Sequence, residues 1–106
     1  MKFINNCDCI YSFIELEKAV IWFANGLKYK PVFTIWLDRF YPKIWVCCQG
    51  IRVHRILGMY KEKRRLRKDE VVHHIDGNKL NNHIDNLEIW SLKEHTKYHN
   101  DWYKII

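Results

Sequence analysis

From Glu70 onward the hydrophobic period of the chain changes, and that change limits the folds open to it. Glu70 to Ile75 is rich in β-branched residues and reads as a strand. Asp76-Gly77-Asn78 has turn chemistry, Lys79 to Asp85 is a polar loop, and Leu87 to Trp90 is a second strand. Ser91 and Glu94 then form a capping box, which predicts a helix through about Tyr103. The order strand, loop, strand, helix belongs to a small mixed unit.

Upstream the pattern is different. Ser12 and Glu15 match another capping box. Phe13, Leu16, Val20 and Phe23 follow at helical spacing and Gly26 offers a stop, predicting a helix over 12–25. Val32 to Leu37 reads as a strand. Ile44 to Cys48 and Ile51 to Val53 read as a hairpin turning at Gln49-Gly50, and His54 to Lys61 reads as a short helix. The expected class is α+β, one small domain with an N-terminal helix plus β-hairpin and a distinct C-terminal unit. The functional division falls between 1–50, whose role the sequence does not disclose, and 51–106.

With 106 residues and 48% apolar content, the chain has material for one core and too much apolar surface to remain disordered. No apolar run approaches the roughly 20 residues of a membrane span, and MKFINNCDC lacks the features of a secretory leader, so an intracellular, non-secreted protein without membrane contact is expected. Cys7-x-Cys9 and Cys47-Cys48 fit no common zinc hook, and free thiols are expected of them.

The net charge of +6 is concentrated in one place. Between Ile51 and Lys68 eight bases (Arg52, Arg55, Lys61, Lys63, Arg64, Arg65, Arg67 and Lys68) face one acid, Glu62. The rest of the chain nearly cancels. A short basic arm beside a candidate site reads as a phosphate-binding segment, because each cation placed on a phosphate releases condensed counterions. DNA is the expected partner; whether two copies of the chain pair is left open.

Five of the six histidines lie between positions 73 and 99. On the predicted last helix His95 and His99 are four apart, which stacks them on one face at roughly 5–6 Å between Cβ atoms and suits two imidazoles sharing one metal. His73 and His74 sit side by side on the preceding strand, where neighbours point to opposite faces. One of them can join the helical pair while the other stays free. In this assignment His73, His95 and His99 hold a divalent ion and His74 takes a proton from water.

The run VVHHIDGNKLNNHIDNLEIWSLKEHTKYH resembles the ββα-metal (His-Me finger) motif of HNH endonucleases, particularly the small phage and intron-encoded homing type. The resemblance is dense over 71–99, extends back to His54-Arg55, and does not reach the first 50 residues. It implies that His74 is the general base, that Asn86 fixes the loop and polarises His74, and that His95 is a metal ligand, with His73 at the first ligand position and His99 a further one. His54 is counted with Arg52, Arg55 and the rest of the basic arm among the expected DNA contacts. Many homing relatives have Asp at the first of these positions and Asn at the last; the histidines here favour zinc, nickel or similar ions over magnesium, and the divalent ion is left open among zinc, nickel, manganese and magnesium. The implied activity is hydrolysis of DNA to 3′-hydroxyl and 5′-phosphate ends, as a homing or nicking enzyme. The alternative is a non-catalytic DNA-binding module with a structural metal.

Overall fold

In the computed structural model, residues 1–26 and 32–91 are described; the predicted helix after Ser91, with His95 and His99, lies outside them. Among the described residues the chain forms two α-helices and two sheets, an α+β arrangement.

The first sheet has four strands in sequence order: β1 (Lys2–Asn5), β2 (Val32–Asp38), β3 (Tyr41–Val46) and β4 (Gln49–Arg52). β1 pairs parallel to β2 and was not foreseen; the other pairings are antiparallel. The register aligns Ile35, Ile44 and Ile51 across three strands on the core face, all of them buried. The opposite face carries the aligned row Trp36, Lys43 and Arg52.

The β3–β4 turn differs from the expectation. Cys47 and Cys48 occupy it, both at positive φ (51° and 61°), as a primed two-residue hairpin turn requires. Gln49-Gly50 belongs to the strand instead. Pairing Ile44 with Ile51 leaves only two residues between Val46 and Gln49, so the buried isoleucines outvote the turn preference of Gln-Gly. A Cβ at Gly50 would lie 2.8 Å from Lys43 Cε, the far end of a flexible side chain.

Helix α1 (Phe13–Phe23) buries Leu16, Ala19, Val20 and Phe23, four positions on one face. Ser12 is its N-cap but makes no side-chain capping bond, so the expected capping box is not formed. At the other end Asn25, at φ 55°, makes the left-handed turn, and the Gly26 and Asn25 amides close back on Ile21 and Trp22, satisfying carbonyls at the helix terminus.

Helix α2 (Val53–Glu62) follows β4 directly and packs on α1 and on the second sheet, a hairpin of β5 (Glu70–His74) and β6 (Leu87–Ser91). The division drawn at residue 50 therefore falls inside β4. Gly58 permits the close seating of α2 on β5: a Cβ there would lie 2.6 Å from Val72 Cγ2. One core runs through both sheets and both helices, from Leu16 and Val20 through Ile56 and Leu57 to Val72 and Leu87.

Candidate active site

Strand alternation in β5 decides where the paired histidines go. Val72 faces the core against α2, and His74, two residues on, faces inward with it at 6% exposure. His73 therefore faces outward and stacks on Trp90 of β6, ring centroids 4.1 Å apart. The two imidazoles are divided between opposite faces, as alternation requires, with His74 on the inside.

His74 lies in a compact cluster. Its Nε2 is 2.8 Å from Asn82 Oδ1, its ring is 4.8 Å from that of His54, and His54 is in turn stacked on Tyr41 at 5.0 Å. Asn82, 0% exposed, is held in one orientation by its other end: Nδ2 donates to Cys9 Sγ (3.2 Å) and to the carbonyls of Lys79 (3.3 Å) and Leu80 (3.4 Å). Carbonyls only accept, so the amide nitrogen must face them and the oxygen must face His74. Nε2 of His74 is consequently the protonated nitrogen, and Nδ1 carries the lone pair.

Asn82 is itself braced from the N-terminal half. The Ile10 amide donates to Leu80 O and the Asn82 amide to Ile10 O, both at 2.7 Å, in a short parallel bridge. Asn5 holds the next layer, donating from Nδ2 to Cys9 O and accepting from the Cys9 amide. Residues outside the family-like stretch thus fix the orientation of a side chain within it.

Asn86, predicted to fix the loop and polarise His74, is placed in the loop. Its Oδ1 accepts from the Asp76 amide, and its Nδ2 donates to Asp76 Oδ1 and to Asn81 O. Its backbone carbonyl accepts from Ile75. The side chain that meets His74 is Asn82, from the stretch that the sequence marks only as a polar loop. Asp76, with both carboxylate oxygens accepting from Asn78, Asn81 and Asn86, is held below its usual pKa chiefly by the Asn81 bond. Glycine at position 77 suits the left-handed backbone, φ 75°, that reverses the chain.

Burial governs the electrostatics. Desolvation lowers the pKa of His74, the Asn82 bond opposing it in part. His54, 5% exposed, is pushed down to about 3, mainly by desolvation and then by the neighbouring His74, Arg52 and Arg55. Its Nδ1 is a buried nitrogen with no hydrogen-bond partner among the described residues. Both imidazoles are neutral at pH 7. The turn from β4 into α2 carries the His54 ring, predicted among the DNA contacts, into the interior against Tyr41.

The remaining predicted DNA contacts divide by what they touch. Arg52 lies over the Tyr41 ring (4.4 Å), Arg65 over Phe23 (4.0 Å), and Lys63 Nζ over Tyr60 (3.1 Å). Arg55, Arg67 and Lys68 are exposed. Lys61 donates to Leu87 O (2.8 Å) and Ile84 O (3.3 Å), tying α2 to the start of β6, and Arg64 makes a two-pronged pair with Glu70 at 2.6 and 2.8 Å. Those two cations already serve the fold.

Of the three predicted metal ligands only His73 lies within the described residues, and among these no three His, Cys, Asp or Glu side chains gather into a metal-sized cluster. His73 fits one place in such a set by its imidazole chemistry and its outward position on the hairpin. No helix among the described residues is long and apolar enough to cross a membrane.

A β-hairpin with tandem histidines and an asparagine-braced loop is the class of site defined here, and residues 52–97 match the family model described as HNH endonuclease. Over 48 residues the chain is 50% identical to a Bacillus subtilis (strain 168) protein named "SPbeta prophage-derived putative HNH homing endonuclease YosQ", a match covering 45% of this chain and 27% of the relative. The chain thus spans little more than a quarter of that relative's length. No solved structure matches the chain. Over residues 52–97 the chain is thus similar to HNH endonucleases.

Proposed function

We propose that the protein is a metal-dependent endonuclease that hydrolyses DNA, of the phage or intron-encoded homing or nicking kind. The observation that carries this reading is a neutral, buried His74 whose Nε2–H is committed to Asn82, inside a segment matching the HNH family. A base needs a lone pair in a fixed direction, and the Asn82 bond leaves Nδ1 as the nitrogen that can take a proton.

In this mechanism His74 accepts the proton of a water that attacks phosphorus in line, and the 3′ oxygen leaves with its electron pair, giving a 5′-phosphate and, once protonated, a 3′-hydroxyl. Asn82 keeps the ring in the working tautomer, and the Asp76–Asn86 loop holds the backbone beyond His74. His73, with His95 and His99, would hold the divalent ion. When bound, the ion supplies positive charge to the phosphate and to the leaving oxygen. The test is nicking of supercoiled plasmid with Mg²⁺, Mn²⁺, Ni²⁺ or Zn²⁺, wild type beside His74→Ala; a binding module with a structural metal would shift the plasmid without nicking it.

A further inference from the structure

Beside α2, along the β4 edge of the larger sheet, lies a cleft of about 560 Å³. Its cations come from three parts of the chain: Lys43 from β3, Arg52 and Arg55 from the β4–α2 junction, and Arg65 from the segment after α2. Phe23 and Met59 supply apolar wall, and among the described residues no carboxylate lines the cleft. Lys43 is paired with Asp38 at 3.1 Å, but none of the three arginines has a carboxylate partner among the described residues.

Gathering like charges in one concavity costs folding free energy through mutual repulsion, and a polyanion laid along it reverses the sign of that term. Position adds to charge: contacts of 4.4, 5.0 and 4.8 Å lead from Arg52 through Tyr41 and His54 to His74. An anion at Arg52 is separated from the proposed reaction centre by two rings, Tyr41 and His54.

We infer that this cleft seats the phosphodiester backbone of the DNA strand beside the cut, so that residues of the N-terminal half, Phe23 and Lys43, form part of the substrate seat together with Arg52, Arg55 and Arg65. The inference rests on the nuclease reading for the identity of the polyanion. It also divides the basic arm: Arg55 and Arg65 grip phosphate, while Lys61 and Arg64 hold the fold.

The test is anisotropy of a fluorescein-labelled duplex with the full chain, at salt between about 50 and 200 mM. Arg55→Gln with Arg65→Gln is expected to weaken binding about tenfold or more and to reduce the slope of log affinity against log salt by roughly 1.8, about 0.9 for each phosphate that is no longer neutralised. Lys2→Gln with Lys18→Gln, the same loss of charge at exposed sites outside the cleft, is expected to change affinity less than about twofold and leave the slope nearly as it was. Arg55→Lys with Arg65→Lys recovers most of the slope and, with a melting temperature for each variant, separates charge from folding. Equal losses in the two glutamine pairs, no loss in the cleft pair, or no DNA binding by the wild type would overturn the inference. Cleft-dependent binding by a protein that fails to nick plasmid with any of the four ions would leave the cleft standing and sink the nuclease reading alone.

Discussion

Asn82 holds His74 through its amide oxygen at 2.8 Å, and its own nitrogen is locked in turn by Cys9 and two carbonyls, so a side chain from the loop fixes which imidazole nitrogen is free. Asn82→Ala removes the acceptor and leaves a buried N–H without a partner. The expected cost is about 1–3 kcal/mol of stability and roughly 10- to 100-fold in turnover, the range found when a group orienting a reactive residue is lost. ¹⁵N spectra of the imidazole should show a shift away from the Nε2–H tautomer. Turnover and tautomer both unchanged would show that Asn82 is packing alone.

His54 makes stability sensitive to acid. Its folded-state pKa is about 3 against an ordinary 6.5, so between those values the unfolded chain binds the extra proton and stability rises with pH. The contribution is complete above pH 6.5 and is lost as pH falls from there toward 3, at about 1.4 kcal/mol per pH unit for one full proton. His54→Phe should flatten the dependence by about one proton in denaturation measured between pH 6 and 4; an unchanged slope would mean that the ring is not buried neutral.

Gly58 and Val72 set the distance between α2 and β5. Gly58→Ala places a methyl 2.6 Å from Val72 Cγ2. Overpacking costs about 1–3 kcal/mol, and the gain in helix propensity returns up to about 1. A fall in melting temperature is expected, partly restored by adding Val72→Ala. A rise on Gly58→Ala alone would contradict the close seating.

Lys61→Met keeps the aliphatic stem and removes the donor to Leu87 and Ile84. A loss of about 1 kcal/mol is expected from urea denaturation, with the salt slope of DNA binding unchanged. A slope reduced by about one would return Lys61 to the phosphates.

Much of this was legible in the sequence because it depends on local period. α1, α2 and the β5–β6 hairpin follow from helical spacing, β-branched runs and turn residues. The tandem histidines point to opposite faces because a strand alternates. The rest depends on contacts remote in sequence. Which face of β5 is buried was set by α2, through the space left at Gly58. β1 exists because Lys2–Asn5 finds β2 thirty residues away, and the Cys47-Cys48 turn because Ile44 must meet Ile51. Asn82 and Asn86 look alike in a polar loop; only the bridge to Ile10 and the thiol of Cys9 turn the former toward His74. Arg64 and Lys61 read as free cations because Glu70 and the Leu87 carbonyl are distant along the chain or separated by a turn.

The most direct measurement is plasmid nicking by wild type and His74→Ala, each with and without divalent ion and with chelator as control. The wild type should convert supercoiled plasmid to open circles only with an ion present, and His74→Ala should lose that activity while still binding DNA. Nicking by His74→Ala at the wild-type rate, or no nicking by the wild type with any of the four ions, would contradict the account.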